Sequence, residues 1–585
     1  MQEKLQQKRH TLAHLLANAV GEVYKNIDVK FTLGPAVDDG FYYDIDFGEE
    51  KIGDKDLEKI EMVMKKKLPE WTEFTHQEIS KEEAEKIFAG NTYKLELIKE
   101  IAERGEKITT YTCGGFTDLC RGGHSENPSK EISPDSFKLD RVAGAYWRGD
   151  EKNKMLTRIY GLAFETKEEL EAYLNQREEA RKRDHKKLGK ELGLFVFSEL
   201  VGAGLPLWTP KGTVIRELLN DYVWSLRQKR GYQKVCIPHI TKKELYETSG
   251  HWAKYADDLF KIVTREDHLY AMKPMNCPHH TQIFDSEPRS YRDMPQRYAE
   301  TTMVYRDEQS GELSGLSRVL SITQDDAHVF CRENQIEKEA LAIWDIIETF
   351  YKTFGFELQV RFSRHDPAQR EKYLGGDDVW VKAESALESL MKQKGVTWID
   401  GLGEAAFYGP KIDFISKDSL GRVLQVATIQ LDFNQPKNFG LVCTNEKGEK
   451  EPIVMVHAAI MGSIERFTST LIEHCAGKFP VWLSPVQIAL VPVRENHDDE
   501  AMKLREELEN KGIRVEVYYS GSNSLGKRIH EAKGMLTPYV IVLGDKEISS
   551  KSLTVENRDG SKTEGVSVEE FIKKVEDEIT NKTLN

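Results

Sequence analysis

The 585-residue sequence lacks most of the features that mark secreted, membrane-embedded or disordered chains. Cysteine is scarce: seven residues, an odd number scattered along the chain, cannot build a disulfide framework, so reduced thiols are expected. No apolar run approaches the ~20 residues that a bilayer span requires, and the opening MQEKLQQKRH carries no signal-peptide core. Both absences predict a cytoplasmic chain with no membrane partner. An excess of positive charge is missing too. With 83 Lys and Arg against 97 Asp and Glu, the net charge is −14, which argues against a generic nucleic-acid coat. Any nucleic-acid contact must be local and shaped. Internal repeats and low-complexity tracts are absent as well.

What is present is a globular composition, 39% hydrophobic and 31% charged, on a chain long enough for three or four domains. His10, Leu12, Ala13, Leu15, Leu16, Ala19 and Val20 hold an apolar face at helical spacing from the start. A Gly/Asp-rich turn with strand-like flanks (31–47), charged helical stretches to about residue 106 and short β-type runs to about Tyr160 predict an α+β domain. Residues 167–193 read as one charged helix, with seven Lys/Arg against four Asp/Glu between Arg177 and Glu191. Such a helix is either a solvated linker or a basic strut near a polyanion. After Pro485, strands at 486–493, 513–519 and 539–544 alternate with helices, which predicts a small doubly wound α/β domain. The expected domains are 1–166, a linker helix 167–193, 194–483 and 484–585.

Residues 298–331 place two strand-like runs around a polar loop (307–316), the grammar of a long hairpin. On the returning strand Gln324, Asp326 and His328 sit at i, i+2 and i+4 and so share one face. A face carrying amide, carboxylate and imidazole needs water, ligand or metal. Arg306 ends the outgoing strand, where a planar guanidinium suits a phosphate. Cys277, His328 and His457 are far apart, and each alone reads as a buried hydrophobe or a satisfied polar group. If they converge, they form a three-ligand set that leaves the fourth position of zinc open. His10 and His14 share a helix face, and Cys120 and His124 close DLCRGGH. Spacing alone fits a zinc site and a buried polar cluster equally well there.

Arg306-Asp307-Glu308 with GLSR (315–318), TQDDAHVF (323–330) and GSIERF (462–467) resemble the second and third signature motifs of class II aminoacyl-tRNA synthetases, and GYQKVCIP (231–238) resembles the first. KPMNC (273–277), FYGPKIDF (407–414), TIQLDF (428–433) and VMVHAAIMGSIERF (454–467) are similar within that class to the threonyl-tRNA synthetases. The resemblance covers nearly the whole chain. It implies a class II antiparallel-sheet catalytic core, an α+β editing domain and a C-terminal α/β anticodon-binding domain, in a form lacking the family's N-terminal ubiquitin-like domain. The implied activity is ATP-dependent formation of threonyl-adenylate and transfer of L-threonine to the 3′ end of its tRNA, with hydrolysis of misacylated seryl-tRNA. The two rival readings are a non-catalytic tRNA-sensing relative and a protein that is mainly a trans-editing deacylase. The presence of Arg306 and Arg466 counts against the first, and the intact central site counts against the second.

Carried over residue by residue, the resemblance implies one zinc ion per subunit on Cys277, His328 and His457, and Mg²⁺ accompanying ATP. It puts Arg306, Glu308, Arg318 and Arg466 on ATP, and Gln324, Asp326, Tyr408 and Gln430 on threonine. Lys411 faces the adenylate, and His251 lies near the tRNA terminus during transfer. His10, His14, Lys94, Asp118, Cys120 and His124 match editing positions, and Glu547 in GDKE matches an anticodon-reading loop. A homodimer is implied through the first motif. An open zinc ion selects threonine over valine through the hydroxyl, whereas serine lacks only a methyl group, worth ~1–3 kcal/mol, so a second, hydrolytic sieve is required. Departures from the family pattern include Asp307, His279, Leu320-Ser321 and Gly123. Glu556 and Asn557 stand where a basic anticodon contact is expected.

Overall fold

The computed structural model describes residues 2–417 and 421–584. Contacts divide the chain into two units, Met1–Glu178 and Glu179–Asn585.

In the first unit the apolar face of helix α1 (Gln2–Val23) is fully buried at Leu15, Leu16, Ala19 and Val20. It packs on strand β1 (Gly40–Asp46) and helix α2 (Leu57–Lys67). Strand alternation explains β1: Phe41, Tyr43 and Ile45 enter this core, while Asp44 and Asp46 turn to the other face and pair with Arg158 and Lys154. Helix α3 (Thr92–Glu103) starts where the Asn91 side chain accepts the Lys94 amide. Strands β2 (Ile108–Cys113) and β3 (Phe116–Leu119) form a hairpin over Gly114-Gly115, both at positive φ, as a two-residue turn demands. A side chain at Gly114 is impossible for a second reason, because its Cβ would lie 2.2 Å from Trp71 Nε1. Strands β4 (Phe137–Tyr146) and β5 (Met155–Ala163) complete a five-stranded antiparallel sheet beside β1.

The expected single helix over 167–193 is two. Helix α4 (Lys167–Arg183) ends before Asp184, which leaves helical geometry (φ −49°, ψ 121°) and caps helix α5 (His185–Glu191) by accepting the Lys186 amide at 2.7 Å. Charge pattern cannot reveal this break, because Asp inside a charged run reads equally well as a cap or as solvated surface.

The second unit is built on an eight-stranded sheet. Strands β6 (Gln296–Tyr305) and β7 (Ser321–Cys331) are the expected antiparallel hairpin, paired from Gln296↔Phe330 to Tyr305↔Ser321. Helix α6 (Ile336–Thr353) follows, then β8 (Leu358–Arg364), β9 (Trp398–Leu402), β10 (Lys411–Lys417), β11 (Val423–Asp432), β12 (Val454–Ser463) and helix α7 (Ile464–His474). The sheet order is Gln233–Lys234, β6, β7, β12, β11, β10, β8, β9, antiparallel except at its two edges. Alternation sorts its faces. Ala327, Val329, Ile429, Leu431, Val456 and Ala458 pack under α6, leaving Gln324, Asp326, His328, Gln430, Asp432 and His457 on the opposite face. Asp325 interrupts the apolar row at a bulge between β7 and β12. Its carboxylate pairs with buried Arg227 and accepts the Ile460 and Met461 amides at 3.0 and 2.9 Å.

Toward the C-terminus a five-stranded sheet joins parallel strands 515–517, 488–492 and 539–543 to an antiparallel pair, 552–557 and 562–567. The parallel part carries the expected strand–helix alternation, and the final helix (Val568–Asn581) is capped by Ser567. All seven cysteines are free thiols. Among the described residues no helix is long and apolar enough to cross a membrane.

Candidate functional site

The polar face of the large sheet opens into a cavity of about 930 Å³ lined by Arg306, Glu308, Arg318, Gln324, Tyr408, Lys411, Gln430 and Arg466. Arg306 directly follows β6, with its guanidinium 5.6 Å from the Tyr255 ring, and its buried Nε has no hydrogen-bond partner. Arg466 stands exposed in the first turn of α7, whose cap is Ser463. Two residues expected at ATP hold each other: Arg318 Nε donates to Glu308 Oε2 at 2.6 Å, and its terminal nitrogen reaches Glu312 at 2.9 Å. Lys411 Nζ lies 3.2 Å from Asp413, a fully buried carboxylate that also accepts from Arg361, Ser363 and Gln425.

Cys277, His328 and His457 converge behind this wall, all buried, with one donor atom each within 4.8 Å of the others. Sheet register does this, since His328 and His457 are directly opposed on β7 and β12, their Nε2 and Nδ1 atoms 3.1 Å apart. Asp432, opposite Met455 on β11, fixes one ring: its carboxylate takes His457 Nε2 at 3.1 Å, turning Nδ1 toward Cys277 and His328. His280 engages the far nitrogen of His328 at 2.7 Å. One thiol and two inward nitrogens, held from outside, match the donor chemistry of zinc. Burial raises the Cys277 thiol, so that without a cation it stays protonated.

The threonine candidates lie around this triad. Tyr408 stacks on His457 (4.8 Å, 22°) and its hydroxyl donates to Gln430. Asp326 lies deeper than the cavity wall and accepts from Asn276 Nδ2 at 3.0 Å. His251 is also buried. Its Nδ1 meets Ser249 Oγ at 2.8 Å, and burial pushes its pKa down to about 3.

In the first unit His10, His14, Lys94, Asp118 and Cys120 line a second cavity of about 380 Å³. His124 stacks on Phe74, with Cys120 Sγ 3.3 Å from its Nε2 and 3.5 Å from that of His10. These four His and Cys donors also lie within 4.8 Å of one another; Nε2 of each imidazole is engaged inside the cluster, whereas the buried Nδ1 atoms of His14 and His124 have no hydrogen-bond partner. Beside them Asp118 forms a buried ion pair with Lys94 and accepts the Tyr43 hydroxyl at 2.5 Å. Burial pushes His124 down to about 2 and the Cys120 thiol up to about 11, so the cluster is neutral around pH 7.

Glu547 is occupied locally, accepting the Gly544 amide at 3.2 Å and the Thr554 hydroxyl at 3.0 Å. Glu556 pairs with Lys533 and Lys562, and Arg558 turns inward to the Phe479 carbonyl at 2.7 Å. Tyr43, Asn276, His280, Asp413 and Asp432 escaped the sequence reading. Asp413 reaches Lys411 from two residues along the same strand, a same-face spacing that could have flagged it. The other four act on site residues at least 25 positions away, which no spacing signals.

Comparison with known proteins follows the same three regions. The "Threonyl and Alanyl tRNA synthetase second additional domain" family matches residues 108–160. The "tRNA synthetase class II core domain (G, H, P, S and T)" matches 260–475, and an "Anticodon binding domain" matches 487–578. The threonine--tRNA ligase of Thermotoga petrophila is 44% identical over 576 residues, 98% of this chain and 88% of that protein. That of Phocaeicola vulgatus is 46% identical over 579 residues, with the same coverage. The crystal structure of the RNA-binding domain of threonyl-tRNA synthetase from Cryptosporidium parvum superposes with a TM-score of 0.64 at 34% identity, covering 67% of this chain and 98% of that one.

Proposed function

The chain belongs to the threonine--tRNA ligase family, and from that premise we propose how its residues divide the work. The enzyme activates threonine with ATP, transfers it to tRNA and edits misacylated tRNA. The observation that carries the residue assignment is the polar face of the large sheet, which gathers phosphate-binding, threonine-binding and metal-binding chemistry around one cavity.

Arg306 and Arg466 hold the triphosphate and stabilise charge that develops at the α-phosphate. Glu308 and Arg318 order the loop over the nucleotide, and Lys411, held by Asp413, faces the adenylate. Mg²⁺ accompanies ATP. Asp326 attracts the threonine ammonium, while Gln324, Tyr408 and Gln430 shape the pocket around the hydroxyl. Cys277, His328 and His457 would hold one zinc ion per chain, which supplies a Lewis acid favouring an amino acid that carries both an amino group and a hydroxyl. His251, packed against Phe407 and Tyr255 at the cavity wall, serves the transfer step. In the first unit Lys94 and His124 position or activate water against the seryl ester, oriented by Asp118, Cys120, His10 and His14. A protonated Cys120 thiol favours this water route over a covalent one.

The proposed editing, catalytic and anticodon-binding domains are 1–166, 194–483 and 484–585, with Glu547 at the anticodon loop. The motif-one strand at the edge of the large sheet supports a homodimer, and free thiols support a cytoplasmic setting. The test is threonine-, serine- and valine-dependent pyrophosphate exchange side by side. Serine should be activated ~10- to 200-fold less efficiently than threonine and valine about 10⁴-fold or more. Valine activated as readily as serine would refute hydroxyl selection by a metal.

A further inference from the structure

His185, the first residue of α5, is buried between two parts of the ATP-side wall. Its Nδ1 lies 2.6 Å from Glu473 Oε1 at the end of α7, which also accepts the His185 backbone amide at 3.2 Å. The opposite ring nitrogen, Nε2, accepts the Leu316 amide at 3.1 Å. The ring is therefore held as the Nδ1–H tautomer, donating to a carboxylate on one side and accepting a loop amide on the other. Leu316 closes the polar loop between β6 and β7, in a turn whose Ser314 and Arg318 exchange backbone hydrogen bonds at 3.1 and 3.2 Å. Gly315 has φ +50°, and a Cβ there would lie 2.3 Å from His185 Nε2. The loop has thus given up a side chain so that the imidazole can reach its backbone.

We propose that His185 is a positioning residue for ATP activation: it ties the loop carrying Glu308 and Arg318 to helix α7 carrying Arg466. The two ends of the ring connect elements that approach the nucleotide from different sides. Glu473 borders the same cavity and is also paired with Arg422, so the tether has a fixed anchor. A metal on Asp184, His185 and Glu473 is the competing use of these groups, and it would have to displace the Nδ1–H···Glu473 bond. The inference rests on the assignment of Glu308 and Arg318 to ATP given above.

Three substitutions separate the two ends of the ring. Asparagine reaches the Nδ1 position and keeps a donor for Glu473 but cannot reach Leu316. Glutamine extends to the Nε2 position and can accept the loop amide, and alanine does neither. In threonine-dependent pyrophosphate exchange, His185→Asn and His185→Ala should raise the KM for ATP roughly tenfold, the effect of one buried amide losing its acceptor. The KM for threonine should stay within about twofold by the same reasoning, and His185→Gln should recover most of the ATP affinity. His185→Asn with wild-type ATP affinity, glutamine no better than alanine, or ATP and threonine KM rising together would each overturn the tether. Arg318→Ala, measured alongside, tests the ATP assignment separately. If it leaves the KM for ATP unchanged, that assignment fails whatever the His185 series gives.

Discussion

Substituting either member of the Lys94–Asp118 pair separates what the pair does for folding from what it does for hydrolysis. Both side chains are almost entirely removed from water, 2% and 5% exposed. Asp118→Leu strands the Lys94 ammonium and deprives the Tyr43 hydroxyl and the Leu119 amide of their acceptor. Breaking a buried pair from one side costs about 3–5 kcal/mol, and a buried hydroxyl left without a partner adds ~1–3 kcal/mol. Lys94→Met costs less, near 3 kcal/mol, because Asp118 keeps two of its donors. At roughly 2–4 °C per kcal/mol for a unit of this size, the first unit should melt about 10 °C or more lower in Asp118→Leu and somewhat less in Lys94→Met. The double variant replaces the pair with two apolar side chains and should regain the about 3–5 kcal/mol of the broken pair, but not the ~1–3 kcal/mol of the Tyr43 hydroxyl left without its acceptor. It should not regain activity. The assay is deacylation of preformed seryl-tRNA after graded heating, with threonine-dependent exchange as the reference for the second unit. Seryl-tRNA hydrolysis at the wild-type rate in Lys94→Met or in the double variant would refute the catalytic assignment. It would leave the pair as a folding element only.

Other predictions concern the central site and pH. Purified protein should carry about one zinc ion per chain; His457→Ala should lose it together with threonine activation, and full activation in that variant would rule the assignment out. Arg306→Ala should suppress exchange by two or more orders of magnitude at a nearly unchanged melting temperature, since its buried Nε forms no hydrogen bond that folding could lose. Preserved exchange with a large thermal loss would show a structural ion pair instead. Burial holds His124 at about 2, below its unfolded value near 6.5, so the unfolded chain binds the extra proton between those limits. That contribution to stability is complete above pH ~6.5 and is lost progressively as pH falls. Serine clearance should accordingly show no inflection between pH 6 and 7, and a half-maximal rate near 6.5 would mean a solvated, titrating imidazole. Asp325→Ala should cost about 3–5 kcal/mol by leaving Arg227 buried without its partner, measurable as a lower midpoint for exchange activity after heating.

Much of this was readable in the order of residues, because strand and helix periodicity are local. The alternation of TQDDAHVF by itself sends Gln324, Asp326 and His328 to one face, and Ser567 by itself starts the last helix. The break at Asp184 was not readable, since a capping side chain and a solvated one have the same composition around them. Nor does the spacing of Cys277, His328 and His457 say that they meet. Their meeting depends on the register of β7 against β12 and on Asp432 from a third strand, and register is set by the packing of whole strands on α6. The same holds for Tyr43 on Asp118 and for His185 under Leu316, which are 75 and 131 residues apart. Sequence alone determined which residue types line each element and, through local periodicity, which face of that element they occupy. Only tertiary structure decided their partners, their tautomers and their removal from water, because those depend on long-range contacts that no local pattern encodes.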